Sequence, residues 1–314
     1  MKLFQKDRYQ GIFIERKLSF IIFASPKSGT TWMQRLLSAH PEAVCAESRA
    51  FGVYFDPASL TTPHITMEKY VDLLKNHFAP SVDGLRPADN LFYRTALFNM
   101  VDALAATTMN AVGKSIYGEK LTPYRGTSDH VVEMLHEYDP KIRFVNLTRD
   151  GRDVIVSGAA QWLNQRLRRA PTGEKATFET ALRNRTLLRE DFDMFLDYWT
   201  DAVGAGLKAR KLFPNYLPIS YEEFLADPIS QAADLFGFLG LDASPGVVSS
   251  CVEATAFDKL SGGRRRGEED PNSFFRKGEV GDWKNWFTEE HLELFELRAG
   301  DLLRELGYDL VNVS

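Results

Sequence analysis

Lys27, Gly29, Thr30 and Thr31 stand in the run Ser25-Pro26-Lys27-Ser28-Gly29-Thr30-Thr31-Trp32, between an apolar stretch, Leu18 to Ala24, and the helix-like Trp32-Met33-Gln34-Arg35-Leu36-Leu37. A cation, a glycine and two hydroxyls at a strand-to-helix turn are the parts of a phosphate cradle. Free backbone N–H groups and the helix dipole converge there on an anion. The common triphosphate loop is Gly, four residues, then Gly-Lys-Ser/Thr, with the hydroxyl placed for magnesium. Here the first Gly is missing and Lys27 precedes Gly29 by two residues. The spacing predicts a loop that grips phosphate, but not that of ATP with its metal.

A second group of residues follows the apolar stretch Phe144 to Leu147: Arg149-Asp150-Gly151-Arg152-Asp153-Val154-Ile155-Val156-Ser157. Arg149 is then at the carboxyl end of a strand, where open α/β sheets bind ligands. Ser157 is eight residues on, about 12 Å along a helix, a gap that a long Arg side chain can largely close. Both can hold one phosphate; alternatively, Arg149 and Asp150 only cap the helix. A third group, Phe274-Phe275-Arg276-Lys277-Gly278-Glu279-Val280-Gly281-Asp282-Trp283-Lys284-Asn285, sets two cations beside a glycine that lets backbone approach an anion.

These residues need elements to hold them. Leu18 to Ala24, Ser115 to Lys120, Ile142 to Thr148 and Tyr216 to Ser220 read as strands; Thr30 to Ala39, Ser128 to Tyr138, Asp150 to Leu167 and one long stretch, Phe178 to Lys211, read as helices. Alternation of this kind predicts an α/β fold with a central parallel sheet covered by helices on both faces. Two regions break it. Residues 50–110 carry scattered aromatics, with His64 and His77, and fit either core or a substrate wall. Ser261 to Asp270 packs Gly262-Gly263 against Arg264-Arg265-Arg266 and three acids, as a solvated loop or as a lid over a bound anion.

The 314 residues, 44% of them apolar, suffice for one large domain, 1–314, with 50–110 as a variable insertion and 261–275 as the candidate lid. A net charge of −5 argues against an extended nucleic-acid surface while allowing a local basic pocket. Cys45 and Cys251 are too few for a disulfide framework or a thiolate metal site, which points to a reducing compartment. The first apolar run is far shorter than the roughly 20 residues that span a bilayer. The expectation is therefore a cytoplasmic protein without a membrane span.

Taken together, the three groups resemble the sulfotransferases that use 3′-phosphoadenosine 5′-phosphosulfate (PAPS), in particular the cytosolic type. Pro26 to Trp32 matches that family's 5′-phosphosulfate loop, Arg149 and Ser157 match its 3′-phosphate pair, and Arg276 to Asn285 reproduces its Arg-Lys-Gly-x-x-Gly-Asp-Trp-Lys-Asn signature. The resemblance implies a P-loop-like fold, PAPS as donor, its bisphosphate PAP as product, no required metal, and a small-molecule hydroxyl acceptor. It implies that Lys27 meets the sulfonate and bridging oxygen, that Ser28, Gly29, Thr30 and Thr31 hold the 5′-phosphate, and that Trp32 stacks on adenine. Arg149, Ser157, Phe275, Arg276, Lys277 and Gly278 fall on the 3′-phosphate side, and Tyr221, Thr255 and Phe257 on further adenosine contacts.

The acceptor base departs from the cytosolic pattern. Where those enzymes carry Lys-x-His-x-Pro, this chain has Lys120-Leu121-Thr122-Pro123, and a threonine cannot serve as base near neutral pH. The Glu119-Lys120-x-x-Pro wording resembles the carbohydrate and tyrosyl-protein sulfotransferases, whose base is a glutamate some twenty residues past the loop. In that comparison Glu47 is the first candidate base, Glu119 the second, and His64, His77, His130 and His136 the remainder; Lys120 joins Lys27 in stabilising the sulfonate. The alternative class is a P-loop kinase or other nucleotide-dependent phosphotransferase, with Thr30 or Thr31 on magnesium. The family's short dimer motif survives only in part, at Lys284, Thr288, Glu289 and Glu293, which leaves monomer and homodimer both open.

Overall fold

The computed structural model describes residues 15–48, 51, 90–270 and 273–310, with backbone alone for 90–94. Five parallel strands form one sheet: β1 (Leu18–Phe23), β2 (Ala43–Glu47), β3 (Ile116–Leu121), β4 (Arg143–Thr148) and β5 (Tyr216–Ser220), in the order β2-β3-β1-β4-β5. The expected α/β architecture with a parallel sheet between helices is thus present. β1 lies at its centre and contributes to both faces. Ile21 and Phe23 pack on one side with Phe144, Leu135 and Ala205, while Phe20 and Ile22 pack on the other with Leu36, Val145 and Phe236. A strand buried on both sides has to be apolar at consecutive positions, which is why Leu18–Phe23 reads as an unbroken run.

Helices cover both faces. α1 (Thr30–Ala39) follows β1; α2 (Asn90–Val112) precedes β3; α3 (Ser128–Tyr138) links β3 to β4. After β4 come α4 (Gly151–Arg169), α5 (Lys175–Arg183) and α6 (Arg189–Ala209). α7 (Tyr221–Ala226), α8 (Pro228–Leu239), α9 (Pro245–Ala254) and α10 (Phe257–Ser261) follow β5, and α11 (Glu289–Glu305) packs by Phe295 and Leu303 against Trp199 and Ile155. No helix among the described residues is long and apolar enough to cross a membrane.

Two elements differ from the sequence-based expectation. Phe178 to Lys211 is not one helix: it breaks between Arg183 and Arg189, where Arg185 adopts a left-handed φ of 52° and the Thr186 N–H returns to the Ala181 carbonyl. The strand β2, which the sequence did not announce, pairs with β3 and places Glu47 opposite Lys120. Of the 50–110 insertion only Phe51 and α2 are described; both enter the core, Phe51 stacking on Phe98 at 6.0 Å. His64 and His77 lie outside the described residues.

Candidate functional site

The turn from β1 into α1 is held in an uncommon backbone shape. Lys27 (φ 72°) and Gly29 (φ 91°) both adopt left-handed conformations, and Gly29 starts α1 without a capping side chain. A Cβ on Gly29 would stand 2.5 Å from the Tyr221 ring, so this position also requires glycine for space. The first N–H groups of α1 consequently face a cavity of about 430 Å³, whose lining includes Lys27, Gly29, Thr30, Thr31 and Trp32. The Trp32 indole donates to the Thr255 carbonyl at 3.2 Å and meets Tyr221 and Phe224 edge-on, at 5.9 and 5.2 Å. This fixes an aromatic edge at the cavity wall.

Arg149 joins the three motifs. It leaves the end of β4, lies over the Tyr221 ring at 4.5 Å, and donates to the Lys27 and Glu279 carbonyls at 3.2 Å each. Its Nε is buried without a hydrogen-bond partner. Asp150 caps α4 by accepting from the Arg152 N–H at 2.9 Å and takes the Arg152 guanidinium in a two-pronged pair; that guanidinium then lies 4.1 Å from the Trp283 ring. Asp153, one turn into α4, accepts from the Gly281 and Trp283 N–H groups at 2.7 and 3.1 Å. The acidic first turn of α4 therefore fastens the carboxyl-terminal motif beside Arg149.

Within that motif Asp282 receives Arg276 at 2.6 Å and Lys277 at 2.9 Å. Burial alone would raise its carboxyl, but the bonds and charges of Arg276, then Lys277 and Asn285, hold it well below the usual carboxylate range. Arg276 also pairs with Glu269, and Lys277 with Glu279 at 3.0 Å. Arg264 ties residues 261–270 and 273–275 into a folded flap by donating to the Phe275 and Arg276 carbonyls at 2.5 and 2.8 Å. Arg266, Phe274 and Phe275 of this flap reach the cavity.

Lys27 is at the centre of these groups. Its ammonium donates to Gln161 Oε1 at 2.5 Å and lies 4.8 Å from the Phe274 ring centroid. Burial first, then the charges of Arg149, Arg276 and Lys120, push it down to about 7. A lysine so placed gains from any anion brought into the cavity, because the anion restores the charge that burial and neighbouring cations oppose.

Glu47 and Lys120 face the cavity from neighbouring strands, 3.0 Å apart. Glu119 does not: it is not among the cavity-lining residues, and as the neighbour of Lys120 in β3 it points to the other face of the sheet. There Tyr117 donates to it at 3.0 Å, and burial raises its carboxyl above the usual range despite the hydroxyls of Ser48 and Tyr117 beside it. His130 and His136, on α3, are also absent from the cavity wall.

The structure brings Lys27, Gly29, Thr30, Thr31 and Trp32 into one cavity with Glu47 and Lys120. Arg149, Ser157, Tyr221, Thr255 and Phe257 line it too, as do Phe275, Arg276, Lys277 and Gly278. Ser28 is buried beneath the loop, 1% exposed, and does not line it. The sequence reading did not assign several other lining residues: Tyr124, Gln161, Trp162, Gln165, Arg169, Phe195 and Tyr198. Gln161, Gln165 and Arg169 follow Ser157 at steps of four, a signal available once α4 is recognised as a helix.

Comparison with known proteins agrees with this arrangement. The family model described as "Sulfotransferase domain" matches residues 18–307. Cytosolic sulfotransferase 17 of Arabidopsis thaliana is 26% identical over 301 residues, 90% of this chain and 73% of that protein. Flavonol 3-sulfotransferase of Flaveria bidentis is 31% identical over 52% of this chain, and human sulfotransferase 2A1 is 27% identical over 54%; these matches span 56% and 60% of the two relatives. Among solved structures, mouse sulfotransferase SULT7A1 complexed with PAP superposes with a TM-score of 0.53 at 17% identity, covering 96% of this chain and 90% of that one. The sulfotransferase domain of the Synechococcus PCC 7002 olefin synthase gives 0.53 at 18% identity, over 94% and 95%.

Proposed function

The chain belongs to the sulfotransferase family, and we propose that its cavity moves a sulfonate group from PAPS to the hydroxyl of a small-molecule acceptor, with PAP as the other product. The observation that carries this reading is the convergence of Lys27, Arg149 and Arg276 on one cavity, where burial first and then the neighbouring cations lower the Lys27 ammonium to about 7. A buried Arg149 Nε without a partner in the same place suits a ligand with several anionic groups. The fit extends to both ends of such a donor: the loop and α1 offer N–H groups and hydroxyls to a 5′-phosphosulfate, and Arg149, Ser157, Arg276 and Lys277 offer cations and a hydroxyl to a 3′-phosphate. A kinase needs no second cationic site of this kind, and that alternative is not favoured.

PAPS supplies an activated sulfonate; the chain supplies position and charge. Lys27 and Lys120 hold positive charge where it develops negatively as the sulfur–oxygen bond to the leaving phosphate breaks. Glu47 takes the proton of the acceptor hydroxyl as its oxygen attacks sulfur in line with the leaving group. The Lys120 ammonium, 3.0 Å from Glu47, keeps that carboxylate beside the reacting atoms. Glu47 is assigned in preference to Glu119 because it opens to the cavity. Residues 1–314 act as one domain, with 261–275 as a lid whose Phe274 and Phe275 cover the transferred group.

The reading is tested by incubating the protein with PAPS labelled in sulfur and a panel of phenols and alcohols, in the presence of a chelator. Labelled sulfate esters are expected, with inhibition by PAP. Absence of any labelled product, together with tighter binding of ATP plus magnesium than of PAP, would overturn it.

A further inference from the structure

α4 carries a polar line from the reaction centre to the cavity mouth. Ser157, Gln161, Gln165 and Arg169 follow one another at four-residue steps, and all four line the cavity. Gln161 marks the inner end, since its Oε1 accepts from the Lys27 ammonium. Arg169 is eight residues further, about 12 Å along the helix axis. The first rungs are half-buried and Arg169 is exposed at the rim.

Two groups beside this line are unsatisfied. Among the described residues, Gln165 Oε1 and the Trp162 indole N–H are both buried without a hydrogen-bond partner, a state that costs free energy and that a ligand with a donor and an acceptor would relieve. Arg169 itself has no ion pair among the described residues, whereas Arg166, on another side of the same turn, is held by Asp191 at 2.5 Å and Glu190 at 2.8 Å. The same stretch of cavity has an aromatic wall. Tyr124 meets Tyr198 edge-on at 5.8 Å, and Phe195 lies 6.3 Å from Tyr198. An apolar acceptor would satisfy the wall and leave the polar line unpaired; a small sugar would do the reverse.

We propose that the acceptor is an elongated aromatic hydroxyl compound with an anionic group, of the carboxylate type, at the end remote from the hydroxyl that receives the sulfonate. The ring lies along Tyr124, Phe195 and Tyr198, a polar group part-way along the molecule pairs with Gln165 and Trp162, and the anion pairs with Arg169 at the mouth. Arg169 thereby determines acceptor specificity without taking part in transfer. This inference rests on the sulfotransferase reading of the cavity.

The experiment compares ω-(4-hydroxyphenyl)alkanoic acids of increasing chain length with their neutral methyl amides, with 4-methylphenol as a short neutral control. The acids are expected to exceed the amides in kcat/KM by about three- to tenfold at the chain length that spans the line, the range for a partly exposed charged pair. Arg169→Ala should remove that advantage and Arg169→Glu should reverse it, each read as the acid-to-amide ratio within the variant so that any general change in turnover cancels. Equal rates for acid and amide at every length, or an acid advantage that survives Arg169→Glu, would overturn the proposal while 4-methylphenol turnover upholds the underlying reading. Failure to sulfonate any phenol despite PAP binding would instead overturn that reading, and the proposal with it.

Discussion

Arg149 is met by carbonyls from distant parts of the chain and Arg276 and Lys277 by carboxylates of their own segment, and the carboxylates Asp153 and Asp282 are in turn fixed by backbone N–H groups or by further cations. Further along α4, Gln165 and Arg169 border the same cavity, and among the described residues Gln165 Oε1 has no hydrogen-bond partner and Arg169 no ion pair. One end of the cavity is held by charge pairing within the protein; the other is shaped by helix packing and aromatic side chains. Pre-assembly suits a donor of one fixed chemistry, and open groups suit an acceptor that has to be selected. The two ends meet at Lys27, which takes backbone strain and neighbouring charge from the first and the Gln161 hydrogen bond from the second.

The largest effect is expected where the two ends meet. Glu47→Gln should lower single-turnover transfer by about a hundredfold or more while PAP affinity, read by calorimetry, stays within about threefold. Near-normal transfer would remove Glu47 from the reaction. Arg276→Ala should weaken PAP binding by about ten- to a hundredfold, since it removes one charged partner and leaves Asp282 short of another, with much less change in acceptor KM. A variant that altered acceptor KM instead would break the division of the cavity into two ends.

Gly158→Ala probes the packed end. An added Cβ would stand 2.4 Å from the Phe195 ring, so that ring must shift or the helices part; a loss of about 1–3 kcal/mol in unfolding free energy and a severalfold rise in acceptor KM are expected, with PAP affinity retained.

The finest test is of protons. With its ammonium lowered to about 7 by burial and by Arg149, Arg276 and Lys120, Lys27 is largely neutral in the free protein at pH 8.5 and charged at pH 5.5. A bound polyanion favours the charged form, so PAP binding should take up nearly one proton at pH 8.5 and none through Lys27 at pH 5.5, and affinity should fall as pH rises above about 7. Calorimetry in two buffers of different ionisation enthalpy reads the uptake directly. Lys27→Met should abolish it, and uptake that persisted in that variant would assign the proton elsewhere.

The charged end was largely legible in the sequence, because a phosphate cradle is made of local features: a run of apolar residues, a glycine, a lysine and a helix start within a few positions. Arg149 could be placed for the same reason, as the residue just past a buried strand. The packed end was not. Tyr124 and Tyr198 are far apart in sequence and meet only when the loop after β3 lies against α6. The break at Arg185 carries no glycine or proline, so nothing local announced it. β2, as Ala-Val-Cys-Ala-Glu, is too short and too plain to be told from a helical turn, yet it is the element that sets Glu47 beside Lys120.

Asp153 accepts from Gly281 and Trp283, so a chain emerging from the ribosome has its loop and its Arg149 long before the segment that completes the donor site. Until Gly281 arrives, the Asp153 carboxylate lacks those two N–H donors, and the proposed donor site is incomplete. On the proposed donor site, release of the carboxyl-terminal segment and release of the donor are expected to be coupled through this junction. Saturating PAP should therefore slow amide hydrogen exchange at Gly281 and Trp283 together with that of the α1 amino terminus.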